Sequence, residues 1–185
     1  MKTFTVLIVP GLRDEVEEHW QTLLAKRLLE ARTVPPMGRE NFDCSRRVAA
    51  IEQPVADIVG PVLLVAHCGG LLHACSLGPD KRMRPVSKAR CSHAHRTSHA
   101  GWLSDTCIDP GQRMASSAAP KASIPSLIDT SQNDPLGELS RVLQLAQVWG
   151  SDTRDLGSVG HLNPASGYGP WPLAEQFIAR LGVMH

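Results

Sequence analysis

The chain opens on an unbroken apolar run, Phe4 to Val9, rich in β-branched residues and closed by Pro10-Gly11. A strand with one wet face alternates apolar and polar residues, so a continuous run predicts a strand covered on both faces, as in a parallel sheet. From Val16 to Leu29 the spacing changes. Trp20, Leu23, Leu24 and Leu28 recur at three- and four-residue steps, which predicts a helix laying one stripe on that sheet. Ala31 to Val34 reads as a second strand. Asp43 is placed to N-cap a second helix whose inner face carries Val48, Ile51, Val55 and Ile58 before Gly60-Pro61 stops it. Val62 to Ala66 is again wholly apolar and predicts a third buried strand. Strand, helix, strand, helix, strand implies parallel strands joined by right-handed crossovers, and hence an α/β fold with a mostly parallel central sheet.

The rhythm resumes late in the chain. Ile124 to Ser131 predicts a strand, Leu136 to Trp149 a helix with Leu139, Val142, Leu143 and Ala146 inward, and Asp152 to Leu156 a further strand. A Gly/Pro-rich loop from Gly157 to Pro170 leads to a last helix, Pro172 to Leu181, with proline in the first turn, where its missing N–H costs nothing. Between Leu71 and Ala122 the periodicity fails. That segment holds Cys75, Cys91, Cys107 and clustered His and Arg, and no core element is expected in it.

At 185 residues the chain is the size of one domain, residues 1–185, with 71–122 as an atypical stretch inside it. Nineteen Lys and Arg balance 18 Asp and Glu, which argues against a nucleic-acid or membrane-surface binder and for a small-molecule or peptide substrate. No apolar run approaches the roughly 20 residues that span a bilayer. Pro10-Gly11 and charges stand where a secretory cleavage site belongs. The five cysteines follow no disulfide spacing, so free thiols in a reducing, cytoplasmic setting are expected. Trp20, Trp149 and Trp171 are expected as packing residues.

The third strand runs into His67-Cys68-Gly69-Gly70, with Ala66 ahead of it. This is the small-x-nucleophile-x-Gly form of a nucleophile elbow, a strained strand-to-helix turn whose flanking positions must be small. A buried Cys at a strand end is the bland alternative. Asp134, in Ser131-Gln132-Asn133-Asp134-Pro135, would emerge at the C-terminal edge of the sheet, where open α/β folds bind ligands, or serve as a helix cap, or both. His161 lies in the glycine-flanked loop Gly157-Ser158-Val159-Gly160-His161 after the final strand. Nucleophile, acid, histidine is the chain order of α/β hydrolases.

With Val9-Pro10-Gly11-Leu12, His19-Trp20, Ala66-His67-x-x-Gly70, Ser131-x-Asn133-Asp134-Pro135, Gly160-His161-Leu162-Asn163 and Gly167-Tyr168-Gly169-x-Trp171, the sequence resembles the small α/β hydrolases related to retinoblastoma-binding protein 9, a family of serine hydrolases. The resemblance covers residues 1–70 and 123–185. It implies Cys68 as nucleophile, His161 as general base, Asp134 as the residue orienting His161, and an oxyanion hole from the backbone N–H groups of Gly69 and Leu12. It implies cleavage of an ester, thioester or amide with no metal or organic cofactor.

The family pattern has serine where this chain has Cys68. A thiol paired with histidine is still a competent nucleophile, and this Cys variant resembles some α/β hydrolases acting on lactones. A reading frame that slipped at the nucleophile codon and was restored before Ile124 accounts for both Cys68 and the segment after it, making the chain an inactive relic of a serine hydrolase. Lys88 to His93 stands where the family has a buried strand. As written, the chain is therefore expected to lose that strand and the apolar face of the helix behind the nucleophile, with poor stability and little activity. The Cys and His residues of the segment match no zinc spacing. The rival to an enzyme is a non-catalytic module that lends a surface to a protein partner.

Overall fold

Three parallel strands from the first third form the sheet that carries the elbow: β1 (Thr5–Val9) at the centre, with β2 (Ala31–Thr33) and β3 (Val62–Ala66) on its two sides. The structure, a computed structural model, describes residues 4–12, 15–38, 43–77 and 126–183. In the β1–β3 pair Thr5 faces Val62 and Val9 faces Ala66, so the two strands end level and deliver Pro10-Gly11 and His67-Cys68 to the same edge. A second parallel pair joins β4 (Leu127–Thr130) to β5 (Asp152–Asp155), with Leu127 opposite Asp152 and Thr130 opposite Asp155.

The continuous apolar runs have the two covered faces their pattern requires. Leu7, Val9, Leu64 and Ala66 point into one core with Ile51 and Val55 of α2 (Cys44–Asp57), Leu71 and Ala74 of α3 (Gly69–Cys75), and Val142, Leu145, Ala146 and Trp149 of α4 (Leu139–Trp149). The alternate residues Val6, Ile8, Leu63 and Val65 point into the other, with Trp20 and Leu24 of α1 (Trp20–Arg27) and Ala174 and Ile178 of α5 (Pro172–Val183). Helices thus cover both faces of a parallel sheet, the three-layer α/β arrangement. Leu7, Leu64, Leu71 and Ile128 have no exposed surface, and complete burial of such a side chain stabilises the fold by about 1.5–3 kcal/mol. Trp20, Trp149 and Trp171 are buried.

Several elements differ from their sequence-based bounds for identifiable reasons. Helix α1 starts at Trp20, not Val16, because the His19 side chain caps it by accepting the Gln21 N–H at 3.3 Å. Asp43 caps α2 as expected, accepting from Arg46 N–H at 3.0 Å. Helix α4 starts at Leu139 because Asp134, the alternative cap, instead turns the chain back on itself through the Leu136 N–H. Its inner face is Val142, Leu145, Ala146 and Trp149, while Leu143 is 43% exposed. Residues 71–77 are helix and core rather than featureless: Leu71, Ala74, Cys75 and Leu77 are all buried, so the helix behind the elbow keeps an apolar face. The thiols are not all free either. Cys68 and Cys75 form no disulfide, but Cys44 is disulfide-bonded. The readings that concern residues 78–122, including the slipped frame, Cys91, Cys107 and the absent strand, lie outside the described residues. Among the described residues no helix is long and apolar enough to cross a membrane.

Candidate active site

Strand β3 ends at Ala66 and α3 begins at Gly69, so two residues turn the chain. Cys68 makes that turn with φ 56° and ψ −137°, a conformation that costs a non-glycine residue about 1–3 kcal/mol and persists only where the surroundings impose it. They do so by contact. A Cβ on Gly70 would collide with the Pro10 carbonyl oxygen and stand 2.8 Å from that of Val9, while a Cβ on Gly11 would stand 2.7 Å from Cys68 Cβ and 3.3 Å from Sγ. The exit of β1 therefore crosses directly against the elbow. Gly70 N–H and Leu71 N–H close the turn on the carbonyls of His67 and Cys68 at 3.0 and 3.1 Å.

Asp134 and His161 meet across 27 residues of chain, the imidazole Nδ1 lying 2.9 and 3.1 Å from the two carboxylate oxygens. A carboxylate accepts only, so Nδ1 carries the proton and Nε2 is left for the thiol; His161 also hydrogen-bonds Cys68. One Asp134 oxygen accepts the Leu136 N–H at 2.8 Å as well, so the residue is a turn-former and a histidine partner together. Both side chains are buried. Burial works against a charged imidazole, but the hydrogen bonds to Asp134 and Cys68 and the charges on both outweigh it and push His161 up to about 9.

The histidine loop is wound tightly and tied in three places. Gly160 has φ 63° and the fully buried Leu162 φ 53°. Gly160 N–H donates to Asn133 Oδ1 at 2.7 Å, and that oxygen also accepts the Ser131 hydroxyl at 3.2 Å. The His161 N–H donates to Ser166 Oγ at 3.0 Å, and Ser166 N–H in turn to Asn163 Oδ1 at 2.9 Å. His67 Nε2 lies 2.9 Å from the His161 carbonyl oxygen. Asn133, Ser166 and His67 went unassigned in the sequence because each acts on a backbone group distant in the chain or inside another turn, for which no local spacing exists.

The expected oxyanion donors are at the same edge. The Leu12 side chain would be 3.1 Å from a Cβ on Gly69, so the two residues pack together, and neither backbone N–H has an acceptor among the described residues. Cys68 itself is half-buried. Among the described residues no group of three or more His, Cys, Asp or Glu side chains is arranged to hold a metal ion.

A strained strand-to-helix turn carrying Cys68 at the edge of the three-stranded parallel sheet, with an acid after β4 and a histidine after β5 of the second parallel pair, defines the protein as an α/β hydrolase. The family model for serine hydrolases matches residues 6–180, and the chain belongs to that family. A YdeN-like hydrolase from Pectobacterium atrosepticum is similar at 28% identity with a TM-score of 0.77, over 98% of this chain and 91% of that one. The ydeN product of Bacillus subtilis shares the fold at 18% identity and a TM-score of 0.74, over 97% and 98% of the two chains. Est1E of Butyrivibrio proteoclasticus, solved with ferulic acid, does so at 12% and 0.63, over 100% and 91%. No curated protein matches.

Proposed function

We propose that this protein, a hydrolase of the retinoblastoma-binding protein 9 type, cleaves a small acyl substrate through Cys68, His161 and Asp134. The observation that carries the reading is the run of contacts from the Asp134 carboxylate to His161 Nδ1 and from His161 to Cys68, ending on a backbone strained to present that residue. The Sγ proton passes to His161, whose raised basicity holds it as the imidazolium, and the Cys68 sulfur, left as thiolate, bonds to the acyl carbon. The carbonyl oxygen becomes an oxyanion facing the N–H groups of Leu12 and Gly69. As it collapses, the bond to the leaving group breaks and His161 returns its proton to that group. Water then attacks the thioester on Cys68 while His161 takes its proton. The carbon–sulfur bond breaks, the acid departs and His161 reprotonates the thiolate.

Sulfur also sets the order of substrates. In the tetrahedral intermediate Cys68 competes with the substrate's own leaving group for expulsion, and the group with the lower pKa leaves faster. Thioesters and activated esters go forward; a simple amide mostly reverts. The test is intact-mass analysis after mixing with an aryl thioester. A single acyl adduct on Cys68 is expected, absent in Cys68→Ala and slowed on the order of 10³-fold or more in His161→Ala. An adduct that survives Cys68→Ala, or folded protein that never acylates, sinks the proposal.

A further inference from the structure

His67 takes no part in the chemistry above, yet it is 4% exposed and lies at the centre of the site. Its ring centroid is 4.9 Å from that of His161, 4.7 Å from that of His19, and 6.0 Å from Trp20, whose ring it meets edge-on at 89°. A carbonyl oxygen accepts only, so the 2.9 Å contact with His161 O fixes the tautomer: His67 donates through Nε2–H. This bond differs in kind from the other two ties on the histidine loop. Asn133 holds the Gly160 N–H from the neighbouring acid loop, and Ser166 holds the His161 N–H from within the same loop. His67 holds the His161 carbonyl from the elbow, one residue from Cys68 and 94 residues away in the chain.

The wall behind His67 is stiff. His19 Nδ1 accepts the Gln21 N–H at 3.3 Å, and the Gln21 side chain donates to the carbonyls of Val9 and Val65 at 3.1 and 3.0 Å, pinning the start of α1 to the ends of β1 and β3. Burial first, and then the charge of His161, push His19 down to about 4, so it packs as a neutral ring and adds no second cation beside His161.

We infer that His67 is a positioning residue: its Nε2–H bond to the His161 carbonyl clamps the histidine loop onto the elbow and so sets the separation of His161 from Cys68. The benefit is geometric, because a base displaced by a fraction of an ångström loses its hydrogen bond to the nucleophile. The consequence for turnover rests on the proposed role of His161, but the clamp itself is measurable without any substrate.

The experiment is an NMR titration of the His161 imidazole in the full chain, its signal assigned by its loss in His161→Gln, for wild type, His67→Phe and His67→Gln. Phenylalanine keeps a ring against His19, Trp20 and His161 but has no donor, whereas glutamine places an amide N–H near the position of Nε2. The midpoint, about 9 in wild type, is expected to fall toward the ordinary histidine value in His67→Phe, as His161 drifts from Asp134 and Cys68, and to recover in His67→Gln. With an aryl thioester, kcat is expected to drop about tenfold in His67→Phe with KM unchanged and to recover in His67→Gln. An unchanged midpoint in His67→Phe overturns the inference, and so does an equal fall in His67→Gln, which would assign the effect to the ring. A protein that shows the midpoint pattern but never acylates has the clamp and lacks the proposed function.

Discussion

Replacing Gly70 by alanine tests the contact on which the elbow depends. The added Cβ meets the Pro10 carbonyl oxygen in outright collision, the Val9 carbonyl oxygen at 2.8 Å and Val9 Cγ1 at 3.1 Å. None of these can swing away as a long side chain would. The Val9 oxygen is held by His67 N–H at 3.2 Å and by the Gln21 amide at 3.1 Å, and Val9 lies in the central strand. The helix start must therefore shift, and overpacking of this kind costs about 1–3 kcal/mol, with the upper end appropriate where backbone is the obstacle. Alanine offsets up to about 1 kcal/mol of that through its better helix propensity. The net loss is about 2 kcal/mol, which for a chain of this size lowers Tm by roughly 4–8 °C. Calorimetry on Gly70→Ala beside Gly169→Ala, where a Cβ would have nothing within 4 Å, separates crowding from the loss of glycine as such. Equal Tm in wild type and Gly70→Ala would mean that β1 and α3 do not approach as described.

Two further outcomes follow from the same structure. Burial opposes the charge on His161, but its bonds to Asp134 and Cys68 raise it to about 9 from an ordinary 6.5; the folded chain then holds a proton that the unfolded chain has released, a contribution complete below about pH 6.5 and lost as pH rises through about 9. The urea midpoint should fall across that interval and fall less in Asp134→Asn, and an identical slope in the variant contradicts the assignment. Leu145 is 4% exposed and Leu143 43%, so Leu145→Ala should cost about 2–5 kcal/mol in urea unfolding and Leu143→Ala less than about 0.5; equal losses would mean that α4 is turned otherwise.

The sheet was the most legible part of the molecule, because the runs at Phe4–Val9 and Val62–Ala66 admit few physical solutions. Side chains on both faces are apolar, so helices must cover both, and odd and even residues divide between two cores accordingly. The helix face of α4 was less legible since Leu139, Leu143 and Leu145 are all candidates, and the choice falls to the residues that line up with Trp149 at the far end. Helix α3 was hidden by composition. His73 interrupts its apolar stripe, yet burial and then the charge of Arg47 push that histidine down to about 4, so it enters the interior uncharged. Cys75 beside it is raised by burial to about 12 and packs as a small apolar group.

Cys68, Asp134 and His161 were each visible one at a time, but the ties that bring them together were not, and the reason lies in how the site divides. The elbow is legible from the small residues around Cys68, but its strain is imposed by the exit of β1, Pro10 and Gly11, packed against Gly70 and Cys68, and these touch the Cys68 side chain only through Cβ and Sγ packing. The histidine side is held by Asn133 and His67 from distant parts of the chain and by Ser166 from within its own loop, through backbone groups that no spacing rule connects. A frame of this kind is indifferent to whether serine or cysteine stands at position 68. Under the proposed function, what the thiol alters is the partition of the tetrahedral intermediate, and so the substrates accepted rather than the architecture that receives them.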